Sequence, residues 1–290
     1  MLLRVHHKTT YRYSAPVTES HNEVRLHPLT DEDQTRLEFQ LTLSPPARVF
    51  SYEQPGGIVS HFNIHVPHTE LVILAESLVQ THRHDPFERL NWVEDDWGFY
   101  AREDIRQRYA EYLAPTRVVP FHPELERIAQ LTRRQAGVSA ASFLYTLTRL
   151  LHRLLEYKPG ATHVHTTLEQ FLENPRGVCQ DFAHLMLAVC RREGIPARYV
   201  CGYLYGGYET LEIRGQQASH AWIECLMPGE RWCGFDPTNS LLVNDYYVKA
   251  FVGRDYSDVT PTRGVYRGPA HHELTVEVDV TDAEREADGR

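Results

Sequence analysis

No stretch of this 290-residue chain approaches the roughly 20 consecutive apolar residues that a membrane-spanning helix needs. The opening Met1-Leu2-Leu3-Arg4-Val5-His6 has neither the apolar centre nor the small-residue cleavage site of a secretory signal, so none is expected. Basic residues are also short: 30 Lys and Arg stand against 39 Asp and Glu, a net charge of -9. That balance argues against the broad basic face of a nucleic-acid or anionic-membrane binder, and neither partner is expected. Cysteine is scarce, with five residues at 179, 190, 201, 225 and 233. Their odd number argues against a disulfide framework, and no two have C-x-x-C spacing, so reduced thiols in the cytoplasm are expected. Histidine is plentiful at seventeen, but the pairs His6-His7, His82/His84, His163/His165 and His271-His272 lack the i, i+4 spacing of a zinc-binding helix. They read as surface residues. No metal and no other cofactor is expected.

What remains is ordinary globular composition, 42% hydrophobic and 24% charged, with length for one or two domains. The first 85 residues read as a β-rich domain. Leu3, Val5, His7, Thr9, Tyr11 and Tyr13 fall on odd positions against the polar Arg4, His6, Lys8 and Arg12. Leu37, Phe39, Leu41 and Leu43, then Phe62, Ile64 and Val66, repeat the period of two. Such runs predict half-buried antiparallel strands in a sandwich-like arrangement, with turns at Pro45-Pro46 and Pro55-Gly56-Gly57. Residues 86–150 read as a connector followed by helices, and Glu94-Asp95-Asp96 within it as a solvated acidic run. The stripe Phe143, Leu144, Leu147, Leu150, Leu151, Leu154 and Leu155 is core-facing.

Residues 151–280 read as a second, α+β domain. Thr166 and Glu169 have the spacing of a capping box for a helix reaching Glu173. A longer helix is predicted over 180–193, stopped by Gly194 and Pro196. Strand-like runs follow at 198–204, 218–227 and 231–235, the last two joined by Pro228-Gly229, and a final strand at 273–280 closes this domain. Residues 281–290 read as a disordered tail.

Three residues in the second domain combine into a chemistry. Cys179, within Gly177-Val178-Cys179-Gln180-Asp181-Phe182, stands at a helix start, where the positive end of the helix dipole favours a thiolate. Its N–H, without an intrahelical acceptor there, can donate to an oxyanion. Asp181 in the same turn is expected to point away from the sulfur. His220, in Ser219-His220-Ala221-Trp222, can take the thiol proton, and Asp236, one hairpin later, can hold the other ring nitrogen. Each alone has a bland reading: a buried small hydrophobe, a structural histidine, a turn former. Together, on helix, strand and strand, they predict a cysteine nucleophile with a histidine base and an aspartate that orients it. Cys190, Cys201, Cys225 and Cys233 read as core.

These segments resemble the bacterial transglutaminase-like superfamily. The resemblance runs through Gly177–His184, Gly194-Ile195-Pro196-Ala197-Arg198-Tyr199-Val200, His220-Ala221-Trp222-Ile223-Glu224, Phe235-Asp236-Pro237-Thr238-Asn239 and Val252–Val259. It is specific over about residues 150–268, and Tyr11-Arg12-Tyr13 with Glu23-Val24-Arg25-Leu26 looks like the N-terminal domain that accompanies this core in bacteria. The resemblance implies a papain-like α+β core with Cys179 as nucleophile, His220 as acid/base and Asp236 as orienting residue. It also implies a peptidase or amidase acting on a peptide or protein substrate. Papain itself is excluded, because its histidine lies more than a hundred residues after the cysteine and here the gap is 41. Three functions follow: amide hydrolysis through a thioester, transfer of the acyl group to an amine, or a non-catalytic binding scaffold.

Overall fold

The computed structural model describes residues 1–82, 85–90, 96–164, 166–207, 213–215, 218–268 and 271–288. Six antiparallel strands come first: β1 (Leu2–Val17), β2 (Glu19–Val24), β3 (Gln34–Ser44), β4 (Val49–Gln54), β5 (Gly57–Ile64) and β6 (His68–Thr81). Four helices follow, α1 (Trp97–Ala101), α2 (Glu103–Arg108), α3 (Glu124–Gln135) and α4 (Ala140–Leu154). Strand β7 (Glu156–Tyr157), α5 (Leu168–Glu173), β8 (Arg176–Gly177) and α6 (Cys179–Arg192) lead into the second large sheet. That sheet holds β9 (Ala197–Leu204), β10 (His220–Met227), β11 (Arg231–Asp236), β12 (Leu241–Leu242) and β13 (Tyr247–Gly253). The chain closes with α7 (Tyr256–Val259), β14 (Thr262–Arg267), β15 (His272–Asp282) and α8 (Ala283–Asp288).

The α+β class expected from sequence is what forms, in three main sheets ordered β15-β1-β6-β3, β14-β2-β5-β4 and β12-β11-β10-β9-β13. The first two make the sandwich. Tyr13, Val17, Leu71, Ile73 and Ala75 of one face pack against Val24, Phe62 and Ile64 of the other. The period-two pattern of β1 then serves a second neighbour. Leu3 and Val5, with Val79 of β6, pack on Tyr203, Val248 and Ala250 of the five-stranded sheet. One long sheet therefore lies against two others.

The boundary of the β-rich domain differs from the sequence reading. Strand β15, assigned from sequence to the catalytic core, pairs with β1 from Leu3↔Asp282 to Tyr13↔His272. Strand β14 pairs with β2 from Val24↔Thr262 to Glu19↔Arg267. Without them β1 and β2 would present open backbone edges, which proteins avoid. The sandwich is thus completed from both ends of the chain. Residues 281–282 belong to β15 and 283–288 form α8, so the expected disordered tail is ordered wherever it is described.

Several local readings shift for physical reasons. Leu37 sits at a bulge in the β3–β6 register and is 53% exposed, and Val66 lies beyond β5 and is equally exposed. The capping box of α5 uses Thr167 and Gln170, one residue later than Thr166 and Glu169. Asp96 is not solvated: it is buried and accepts from the N–H groups of Ala140 (2.5 Å) and Ala141 (3.2 Å), capping α4. Glu94 and Asp95 lie outside the described residues, as do His84 and His165. His7 is not on the surface. It is buried, with Nδ1 3.1 Å from the Tyr203 hydroxyl and Nε2 3.0 Å from Thr9 Oγ1, and burial pulls its pKa down to about 4.

Helix α6 is the centre of the second unit. Nearly every residue from Gln180 to Arg191 is buried, because β9 and β10 cover one side and α3, α4 and α5 the other. Phe143, Leu144, Leu147, Leu151 and Leu155 of the leucine stripe join this core, while Leu154 faces solvent. A buried ionic cluster ties the sandwich connection to the five-stranded sheet. Lys249 Nζ lies 2.7 Å from Glu224, 2.8 Å from Asp31 and 3.5 Å from Asp33, and Glu224 also accepts from Arg198 at 2.7 Å. Removing one partner would strand a buried charge, the costly way to break such a cluster. Among the described residues, no helix is long and apolar enough to cross a membrane.

Candidate active site

Cys179 is the first residue of α6, and its side chain is partly exposed while the other four thiols are buried. Asp181, two residues on, turns its carboxylate back to accept from Val178 N–H (2.8 Å) and from Thr162 Oγ1 (2.7 Å). Burial pushes the Asp181 carboxyl up, and those hydrogen bonds pull against it. The carboxylate also explains Gly177: a Cβ there would lie 2.3 Å from Asp181 Oδ2. The absent side chain leaves room for the cap.

His220 opens β10 opposite Gly202 of β9, and Asp236 ends β11, the neighbouring strand on the other side. Both side chains are fully buried, and His220 Nε2 lies 2.8 Å from Asp236 Oδ2. A carboxylate only accepts, so Nε2 carries the hydrogen and Nδ1 is the nitrogen left for a proton from elsewhere. Nδ1 makes no aligned hydrogen bond, yet the Cys179 thiol lies within interaction range of the ring and helps to hold its proton. The structure therefore brings together the three residues expected from sequence.

The electrostatics of the pair follow from its surroundings. Burial alone would strip His220 of its proton, but the Asp236 carboxylate, by charge and by hydrogen bond, raises the imidazole to about 10, with Cys179 contributing. For Asp236 burial also disfavours the charge. His220, Asn239 and Tyr247 outweigh it and hold the carboxyl below its usual range.

Two supports of Asp236 were not read from the sequence. Oδ2 accepts from Asn239 Nδ2 and from the Tyr247 hydroxyl, each at 2.8 Å, besides His220. Oδ1 accepts from the backbone N–H of Thr238 at 2.9 Å and of Asn239 at 3.3 Å. The segment Asp236-Pro237-Thr238-Asn239 is thus a turn in which the aspartate grips its own backbone while its other oxygen holds His220. Asn239 had a signal, three residues after Asp236 in that turn. Tyr247 had none, because it arrives on β13 from the far edge of the sheet. Trp222 stacks along the imidazole at 6.2 Å between ring centres, and Tyr247 packs edge-on against Trp222 at 5.3 Å.

Gly215 closes the remaining side. It has φ of +84°, and a Cβ built on it would lie 2.7 Å from His220 Nδ1. Gly215→Ala is expected to push the imidazole away from the thiol and to strain a left-handed backbone position. Turnover should fall by at least ~100-fold, since an ångström of misplacement costs about that much. Steady-state rates beside an unchanged circular dichroism spectrum would check it.

With this geometry in view, comparison with known proteins decides the family. Residues 128–237 match the transglutaminase-like superfamily, and residues 3–80 match the bacterial transglutaminase-like N-terminal region. An uncharacterized protein of Mycobacterium leprae is 36% identical over 96% of this chain and 98% of its own length. The chain belongs to the transglutaminase-like superfamily. A protein-glutamine gamma-glutamyltransferase of Pseudomonas aeruginosa is 30% identical over 54% of this chain and 24% of that protein. The crystal structure of a candidate cysteine protease from Cytophaga hutchinsonii superposes with a TM-score of 0.72, covering 98% of this chain and 91% of that one. At 24% identity that likeness speaks for the shared fold, sandwich and catalytic unit together.

Proposed function

We propose that this protein is a cysteine-nucleophile enzyme that hydrolyses peptide or isopeptide amide bonds through a thioester on Cys179. The observation that carries the reading is the buried His220–Asp236 pair, with Nε2 committed to the carboxylate and Nδ1 left toward the thiol. An imidazole held protonated through neutral pH favours a thiolate beside it. The sulfur attacks the acyl carbon, and the negative charge moves to the carbonyl oxygen, within reach of the free N–H at the start of α6. His220 Nδ1 then gives its proton to the departing amine as the C–N bond breaks. Water, losing a proton to the same nitrogen, opens the thioester and restores the thiol. Asp236 keeps the ring in place throughout without itself taking a proton.

Transfer of the acyl group to an amine shares every step but the last, and the name of the Pseudomonas relative favours it. Water is the default acceptor at a partly exposed sulfur, because transfer requires it to be kept out. Five free thiols support placement in the reducing cytoplasm. Incubation of a peptide library with and without a labelled primary amine tests the reading. Cleavage that vanishes in Cys179→Ala, with little amine adduct, is the expected result. Efficient amine incorporation without hydrolysis would replace the hydrolase reading with a transglutaminase one.

A further inference from the structure

Beside Asp236 and His220 lies Arg214, whose guanidinium has no ion-pair partner among the described residues. Arg214 Nη1 is sealed from solvent and has no hydrogen-bond partner. The residue is half-buried and a guanidinium keeps its proton, so this sealed nitrogen is a donor left without an acceptor. An aromatic face lies alongside it: the guanidinium carbon is 5.7 Å from the centre of the Tyr157 ring. Such a face is a weak substitute for an anion.

The position is fixed by the catalytic machinery. The Arg214 N–H donates to Asn239 Oδ1 at 2.8 Å, and Asn239 Nδ2 returns to the Arg214 carbonyl at 3.2 Å. The same Nδ2 holds Asp236. The next residue, Gly215, lies against His220. Tyr157 borders the nucleophile, since β7 and β8 run parallel with Tyr157 paired to Gly177, two residues before Cys179. Its hydroxyl senses both groups: burial and then Cys179 raise its pKa, while Arg214 lowers it. Asp236, linked to the Arg214 backbone through Asn239, already accepts from five donors through its two oxygens.

We propose that Arg214 is a substrate anchor, binding a carboxylate that flanks the amide attacked by Cys179. This rests on Cys179 being the nucleophile and adds a substrate class to it: amides carrying an anionic group next to the scissile bond. A guanidinium suits that task, because its fork matches both oxygens of a carboxylate and its charge is permanent. Binding supplies the missing counter-charge and sets the acyl carbon beside the sulfur in one event.

Two alkylating reagents that differ only in a carboxylate test the anchor without a known substrate. The rates at which iodoacetate and iodoacetamide modify Cys179 are measured by peptide mass spectrometry in the native protein, Arg214→Gln and Arg214→Lys. The His220 charge is common to all three, so the ratio of the two rates isolates Arg214. The ratio is expected to fall about ten-fold or more in Arg214→Gln and to lie between in Arg214→Lys, corresponding to ~1.4 kcal/mol or more. Because Asn239 is held by the Arg214 backbone, these substitutions leave the support of Asp236 in place. Protection of Cys179 by N-acetylglycine or by N-acetylaspartic diamide tells a chain-end carboxylate from a side-chain one. An equal ratio in the native protein and Arg214→Gln overturns the anchor alone. A Cys179 that iodoacetamide modifies no faster than the buried thiols removes the nucleophile, and the anchor with it.

Discussion

Asp236→Asn is expected to leave a folded protein with roughly ten-thousand-fold lower turnover, by reversing the tautomer of His220. The argument runs through hydrogen-bond polarity. One carboxylate oxygen faces two backbone N–H groups, which can only donate. The amide oxygen of an asparagine must therefore sit there, leaving its NH2 toward His220, Tyr247 and Asn239. Tyr247 can rotate its hydroxyl to accept, and His220 can accept only by moving its hydrogen from Nε2 to Nδ1. Nδ1 is then no longer a base toward the thiol. In a serine protease the corresponding change costs about 10^4 in kcat for this reason. Asn239 is left facing a donor, at a cost of about 1–3 kcal/mol.

The same variant should change the pH profile. In the native protein the raised His220 pKa contributes stability that is fully present below the unfolded value of 6.5 and lost as pH rises through about 10. Asp236, held low, contributes stability that is present above 3.8 and lost as pH falls through its depressed value. With the carboxylate gone, burial is opposed by Cys179 without Asp236, and the imidazole pKa should fall from about 10. The alkaline limb of activity and the alkaline fall in melting temperature should both move down. An unchanged alkaline limb in Asp236→Asn would show that His220 takes its charge from another group.

His220→Ala should be as severe in rate and milder in fold. Without the imidazole the thiol loses its proton acceptor and the leaving amine its donor, so both halves of the reaction suffer. Removing one member of such a unit commonly costs nearly as much as removing all of it, here about 10^4-fold or more. The cavity left beside Trp222 lies next to Gly215 and can admit water, and the Asp236 carboxylate keeps its four other donors. Peptide turnover and iodoacetamide reactivity of Cys179 near pH 7 should fall together. Loss of turnover with full thiol reactivity would confine His220 to the protonation of the leaving group.

The triad was legible because each member is announced by its own local pattern. Cys179 is followed by the helical spacing of Phe182, Leu185, Met186 and Val189, and His220 and Asp236 lie in runs split by Pro228-Gly229. What failed to show was long-range partnership. Nothing in residues 262–282 tells which edge those strands will join, since any antiparallel edge offers the same backbone groups. Lys249 in a strand reads as a surface lysine until Asp31, Asp33 and Glu224 are brought around it. Asp96 reads as one member of an acidic run until α4 offers it two N–H groups. Polar residues that work inside a fold carry no periodicity of their own, so their partners become visible only when the chain has closed.

The return of β15 to the side of β1 sets an order of events during synthesis. As the chain leaves the ribosome, everything the catalytic unit contributes, up to Gly253 of β13, is available before the last two sandwich strands exist. β1 must wait until residues 272–282 have been made to find one of its two neighbours, a contact of very high sequence separation and correspondingly slow to form. During that interval the edge of β1 is open to strands of other chains, and the polar His6, Lys8, Thr10 and Arg12 along it are the guard against misassembly. Once β15 has docked, strands from before and after the unit that carries Cys179 lie side by side, and the finished sandwich fastens that unit like a clasp.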